Sequence, residues 1–194
     1  MSAGARDWYA HLGARGVARE VAAYAAAEVS PRLAALEFER LERTRAAPHE
    51  RFEVDWSAAR RTITASMEIE AGQRMDLLFK LPPAFPLLAV SAECVRRLGA
   101  SPQQVRRWLL GIEAFLRASR KSVADAVVSW RDNLDAKFEG LEDCLICYSI
   151  LQPATGALPK KECRTCRKRF HGGCLFKWFN TSGQSTCPHC QSIW

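Results

Sequence analysis

The chain reads as an α+β protein: helices first, then an antiparallel sheet with helices on one face, then a small cysteine-rich finger. Three observations predict this. Period-two apolar alternation is confined to the middle of the chain, helical stripes flank it on both sides, and seven of the eight cysteines fall after residue 143. Strands followed by helices argue for an antiparallel sheet covered on one side. We divide the 194 residues into a helical segment 1–47, a sheet-and-helix domain 48–140 and a finger 141–194.

Residues 6–45 suggest two helices, because Trp8, Leu12, Val21 and Tyr24, then Leu33, Leu36 and Leu41, recur near helical spacing around an expected break at Ser30-Pro31. Alone they would make a poor core, which suggests the end of a larger helical stack or helices docked on the domain downstream. RAAPHE, 45–50, is the expected linker. Ile63, Ala65, Met67 and Ile69 then alternate with polar residues, and after a turn expected at Ala71-Gly72 the set Met75, Leu77, Phe79, Leu81 repeats the period. LPPAFP, 81–86, interrupts the ladder because proline cannot donate to it. LLAVSAEC, 87–94, is expected to be a third strand and RFEVDW, 51–56, a further one before the hairpin. Ser101-Pro102 is a plausible cap and first-turn pair for a helix with the stripe Val105, Trp108, Leu109, Ile112, Leu116. A second stripe, Val123, Val127, Trp130, Leu134, Phe138, ends at Gly140. Both stripes read as core. Only 140–143 separate this helix from the finger, so the two domains should move nearly as one body.

The finger orders its donors as Cys144, Cys147, Cys163, Cys166, His171, Cys174, Cys187, Cys190. Three CxxC pairs and one HxxC pair each set two donors on a tight turn, and four pairs make two closed tetrahedral metal sites. Closed sites leave no position for an activated water, so the metal's expected role is structural. A segment this short cannot bury enough apolar surface alone; its folding should be coupled to metal binding. His189, between two ligands, is expected at the surface. Cys94 stands apart and is expected to be a buried structural thiol, with no histidine near it in sequence to activate it.

The formal charge of +7 falls to +4 once seven thiolates meet two dications, so the chain is only mildly basic. Lys160, Lys161, Arg164, Arg167, Lys168 and Arg169 crowd around the donors. They fit a solvated loop, or a contact with RNA or an acidic protein face. The start of the chain has no uninterrupted apolar run, and no segment reaches about 18 apolar residues, so no membrane partner and a cytosolic or nuclear location are expected.

The donor order resembles a variant RING finger, in which alternate pairs share an ion. That resemblance implies one zinc on Cys144, Cys147, His171 and Cys174 and another on Cys163, Cys166, Cys187 and Cys190. PHD fingers, which read histone tails, share the order but usually carry an aromatic residue where this chain has Ser185. RING ligases resemble one another in three further residues, here Ile146, Trp178 and Pro188, which would form the apolar groove for a ubiquitin-conjugating enzyme. CLICYSI, LPKKECRTCRKRFHGGCLFKWFNTSGQSTCPHC and the terminal place of the finger look like the C-terminal end of the listerin family of RING-type E3 ubiquitin ligases, where an RWD domain precedes the RING. LPPAFP resembles the proline-rich turn of RWD and conjugating-enzyme folds, with Phe85 where tyrosine is usual.

The resemblance implies a cytosolic ligase that binds ubiquitin-loaded conjugating enzyme and modifies lysines of nascent chains stalled on the large ribosomal subunit, with possible ribosomal RNA contact. It implies no catalytic residue on this chain. Gln191 departs from the pattern: many RING ligases have an arginine directly after the last ligand. A PHD-like peptide reader and a non-catalytic ribosome-binding scaffold are the alternatives.

Overall fold

A computed structural model describes residues 3–46, 49–70, 72–97, 100–118 and 121–194. Helices α1 (Ala3–Ala10), α2 (Arg15–Tyr24) and α3 (Ser30–Ala46) precede strands β1 (Phe52–Ser57), β2 (Thr62–Glu70), β3 (Gln73–Lys80) and β4 (Ser91–Arg96). Helices α4 (Pro102–Ala118) and α5 (Val123–Phe138) follow, then β5 (Lys161–Glu162), β6 (Arg169–Phe170) and α6 (Gly172–Ser182). The α+β reading therefore holds, with the four strands in the antiparallel order β1-β2-β3-β4.

The break expected at Ser30-Pro31 is not there. Backbone dihedrals stay helical from Tyr24 to Ser30, and a π-helical turn, Ala25–Val29, joins α2 to α3. Proline lacks an N–H and crowds the carbonyl four residues earlier; widening the preceding turn accommodates both. The chain instead leaves the helix between α1 and α2, around Gly13. The stripe also differs. Trp8, Tyr24 and Leu36 are exposed, whereas Ala25, Ser30, Ala34, Glu37 and Leu41 are buried. That inner line faces α5 and β1. Glu37 is the charged residue in it, and its Oε2 accepts the backbone N–H of Val123 at 2.8 Å while Oε1 pairs with Arg40 at 3.0 Å. Burial outweighs these bonds and pushes the Glu37 carboxyl above its ordinary value.

In the sheet, Ile63 lies between Trp56 and Phe79, Ala65 between Val54 and Leu77, and Met67 between Phe52 and Met75. These partners repeat every second residue, as the pleat demands. The turn between β2 and β3 has Gly72 at φ 75°, and Glu68 Oε1 accepts its N–H at 2.9 Å; Ala71 lies outside the described residues. So do two positions of the 45–50 linker. The third expected strand begins later than its apolar run implies, at Ser91 instead of Leu87. Pro82, Pro83 and Pro86 hold 82–88 in successive turns, closed by Phe85 N–H to Pro82 O at 3.1 Å and Leu87 N–H to Ala84 O at 2.8 Å.

Helix α5 starts at a reciprocal cap: Ser122 Oγ accepts from Asp125 N–H at 3.1 Å, and Asp125 Oδ2 accepts from Ser122 N–H at 2.7 Å. Its buried stripe Val123, Val127, Trp130, Leu134, Phe138 packs on β2, α3 and α4. Gly140, at φ 69°, takes the chain out toward the finger. Leu151, on a loop of the finger, is fully buried in the core of the sheet and helices, and its N–H donates to Glu70 Oε2 at 3.2 Å.

Candidate metal centre

Each CxxC pair folds into the same knuckle. The carbonyl of Cys144 accepts from Tyr148 N–H at 2.7 Å and its N–H donates to Ser149 O at 3.0 Å. Cys163 repeats this with Arg167 and Lys168, both at 3.0 Å, and Cys187 with Gln191 at 3.0 Å and Ser192 at 2.8 Å. The turn forces the residue after the second cysteine into the left-handed region: Tyr148, Arg167 and Gln191 have φ of 53°, 62° and 59°. None is glycine, so each knuckle holds a conformation that side chains disfavour. No sequence signal marks these positions, because a CxxC spacing does not demand glycine after it.

The fourth pair is built on a helix. His171 is the extended residue before α6, and Cys174 lies in its first turn, with Leu175 N–H closing on His171 O at 3.0 Å. The N-terminal end of a helix favours negative charge, which suits a thiolate. The hairpin β5–β6 leads into it, ending on fully buried Phe170.

The donors converge in two groups. Cys144, Cys147, His171 and Cys174 form one, and Cys163, Cys166, Cys187 and Cys190 the other, with all donor atoms of a group within 4.8 Å of one another. Within the groups, Cys147 Sγ lies 3.3 Å and Cys174 Sγ 3.8 Å from His171 Nδ1; Cys163 and Cys190 sulfurs are 3.7 Å apart, Cys166 and Cys187 sulfurs 3.8 Å. Zinc–sulfur bonds of about 2.3 Å in a tetrahedron place sulfurs about 3.8 Å apart, whereas a disulfide needs about 2.05 Å. The spacing fits a tetrahedral ion. The imidazole agrees: His171 is fully buried, and its Nε2 lies 3.1 Å from Ile150 O. Donation from Nε2–H to that carbonyl leaves the Nδ1 lone pair aimed among the sulfurs. No sequence signal marks this supporting carbonyl, because every residue carries a backbone oxygen and only the folded loop brings that of Ile150 to the ring.

Thiols this close cannot all ionise unaided. Burial first and the charge of Cys144 second push the Cys174 thiol up to about 12. A bound dication would reverse that logic. The donors present thus fit zinc, and its contribution would be to hold the loops together.

Ile146, Trp178 and Pro188 are each half-buried, the indole N–H of Trp178 donating to Thr186 O at 3.1 Å. That bond ties α6 to the loop carrying Cys187 and Pro188. Trp194 braces the same region, its ring edge-on to Phe170 at 5.7 Å and Phe179 at 6.0 Å, and Thr186 bridges to Ile193. His189 is exposed. Of the basic run, Arg167 and Arg169 pair with Glu162 at 3.0 and 3.7 Å, and Lys168 with Glu142 at 3.6 Å. Lys160, Lys161 and Arg164 are exposed, with no acidic partner in ion-pair range among the described residues.

Cys94 is half-buried on β4 opposite Leu77, not fully buried as expected. Its sulfur contacts Arg96 O at 3.4 Å, and burial pushes the thiol above its usual range. A thiol so placed is a poor nucleophile.

The family described as "Ubiquitin conjugating domain-like" matches residues 52–137. Three relatives named "E3 ubiquitin-protein ligase listerin" illustrate the sequence likeness. That of Xenopus tropicalis is 43% identical over 117 residues, 60% of this chain and 7% of its own length. The Drosophila melanogaster protein is 39% identical over 145 residues, 75% of this chain and 8% of its own length. The Saccharomyces cerevisiae protein is 40% identical over 120 residues, 62% of this chain and 8% of its own length. The chain is therefore related to listerin across a stretch that makes up less than a tenth of those proteins.

Proposed function

We propose that this chain is a RING-type E3 ubiquitin ligase module of the listerin type, acting in the cytosol on nascent chains stalled on the large ribosomal subunit. The observation that carries the reading is the interleaving of the two donor groups. Ile146, Trp178 and Pro188, each half-buried on segments that carry these donors, support it. The listerin relatives support the activity; exposed Lys160, Lys161 and Arg164 suit an anionic surface such as ribosomal RNA.

Cys144, Cys147, His171 and Cys174 would hold one zinc and Cys163, Cys166, Cys187 and Cys190 the other, each supplying rigidity and no reactive group. The reaction is attack by a substrate lysine amine on the ubiquitin thioester carbonyl of the conjugating enzyme, with the enzyme's thiol leaving. The chain contributes no nucleophile: the finger's thiols are ligands and Cys94 is poorly activated. Ile146, Trp178 and Pro188 would seat the loaded enzyme and restrict its tethered ubiquitin, which is catalysis by positioning. Such ordering contributes roughly 7–11 kcal/mol in ideal intramolecular systems, so a modest interface can give substantial stimulation.

Purified chain with activating enzyme, a panel of conjugating enzymes and ubiquitin is expected to form ubiquitin chains. Trp178→Ala should abolish transfer while two zinc equivalents remain bound. Absence of stimulation across the panel, with both metals present, sinks the ligase reading in favour of a binding scaffold.

A further inference from the structure

Helices α4 and α5 do not close on each other along their outer side. Between them runs a groove of about 480 Å³. Its floor and walls are Trp108, Ile112 and Phe115 from α4 and Trp130 and Leu134 from α5, so apolar surface dominates. Trp108 and Phe115 are only half-buried, although they lie on the core side of the helix stripe. Gly111 sits over the opening, in the interior of a 17-residue helix. A glycine there costs about 1 kcal/mol relative to alanine, and close packing is its usual justification. Among the described residues nothing packs against it: a Cβ added at Gly111 would meet no atom of theirs within 4 Å. The missing side chain leaves room that the fold itself does not use.

The polar edge of the groove has one sign. Arg107 and Lys137 line it, and no aspartate or glutamate does, among the described residues. Lys137 Nζ lies 4.4 Å from the centre of the Trp108 ring, and Lys121 Nζ lies 5.0 Å from that of Phe115, so cations stand over the two α4 aromatics of the groove. Nucleic acid binding relies on cations tracking a backbone, and two charges beside an aliphatic floor of Ile112 and Leu134 suit it poorly. Apolar anchors flanked by carboxylates match both features, the mode in which an amphipathic segment lays its greasy face into a helical groove.

We propose that the α4–α5 groove is a docking site for an acidic amphipathic peptide segment of a partner protein, with aliphatic anchors over Gly111 and carboxylates toward Arg107 and Lys137. The site lies outside the finger and does not depend on ligase activity.

The probe is a fluorescein-labelled synthetic peptide of about twelve residues with two leucines one helical turn apart among glutamates. Its controls replace the glutamates by lysines or the leucines by serines, and a single-stranded RNA of similar length serves as competitor. Fluorescence anisotropy with the whole chain is expected to show saturable binding of the leucine–glutamate peptide only. Gly111→Leu fills the opening with a better helix former and should keep or raise Tm while weakening binding at least tenfold. Arg107→Glu should weaken it about fivefold and flatten its salt dependence. Equal binding of the lysine or serine peptides, unchanged affinity in Gly111→Leu, or RNA competing at the groove while the acidic peptide fails to bind would each overturn the proposal.

Discussion

The sheet-and-helix body and the finger reach rigidity by opposite means. In the body, side chains such as Ile63, Phe79, Val127 and Leu134 are buried almost completely and belong to one core shared by the sheet and the helices. The finger's own apolar cluster has five buried members, Cys144, Cys163, Phe170, Leu175 and Cys187, and three of those are donors. Burial of an apolar side chain contributes roughly 1.5–3 kcal/mol, so Phe170 and Leu175 cannot offset the ordering of more than fifty residues. Where the core is missing, coordination has to replace it. The two regions should therefore fail separately, and for different reasons.

The largest expected effect is on the finger. Chelation, or Cys163→Ser, removes a metal site whose free energy is of the order of 10–16 kcal/mol in comparable zinc-dependent domains, and the finger should unfold. Near-ultraviolet circular dichroism should lose the contribution of Trp178 and Trp194, while the helical far-ultraviolet signal of the body persists. Collapse of both signals at once would show that the body needs the finger.

Next comes the reverse experiment. Phe79→Ala empties a fully buried position between β2 and β4. It should destabilise the body by about 3–5 kcal/mol in denaturant titration. Metal stoichiometry should stay at two. Loss of an equivalent of zinc would mean that the regions fold as one unit.

The smallest is Ser122→Ala, which breaks the reciprocal cap of α5 at a cost of about 1 kcal/mol. It carries a pH signature. The backbone N–H of Ser122, bonded to Asp125, holds that carboxyl below its ordinary 3.8. A lowered carboxyl favours the folded state above the unfolded value and loses that contribution as pH falls through the folded one. Ser122→Ala keeps that backbone N–H and loses the hydroxyl's own bond to Asp125 Oδ2 at 2.8 Å, so the gap between the acid unfolding curves of wild type and variant should narrow, not vanish, at low pH.

The comparison also explains what the sequence could and could not tell. Strands β2 and β3 were readable because alternate residues from Ile63 and from Met75 face one core, and a period of two is hard to mistake. The α5 stripe was readable for the same reason at helical spacing. The N-terminal helices were not, because Ala25, Ser30, Ala34 and Glu37 are small or polar, and their burial depends on what α5 and β1 bring to them. Large residues such as Trp8 and Tyr24 drew attention to a face that is in fact exposed. Pro31 looked like a terminator since a widened turn upstream leaves no mark in composition. In the finger, the donors group in alternate pairs, first with third and second with fourth, as the RING resemblance implies, but the Nε2 partner of His171 and the strained residues after each knuckle arise only from three-dimensional closure.

One detail of the finger reaches past it. Leu151 is sunk in the body and tied by its amide to Glu70, so the joint is fastened at two places, by the short connection after Gly140 and by this plug. A hinge needs a single strand of chain free to turn; here any rotation would have to pull a leucine into water. The heading of the finger is thus inherited from the body, and the two would turn in solution as a single piece.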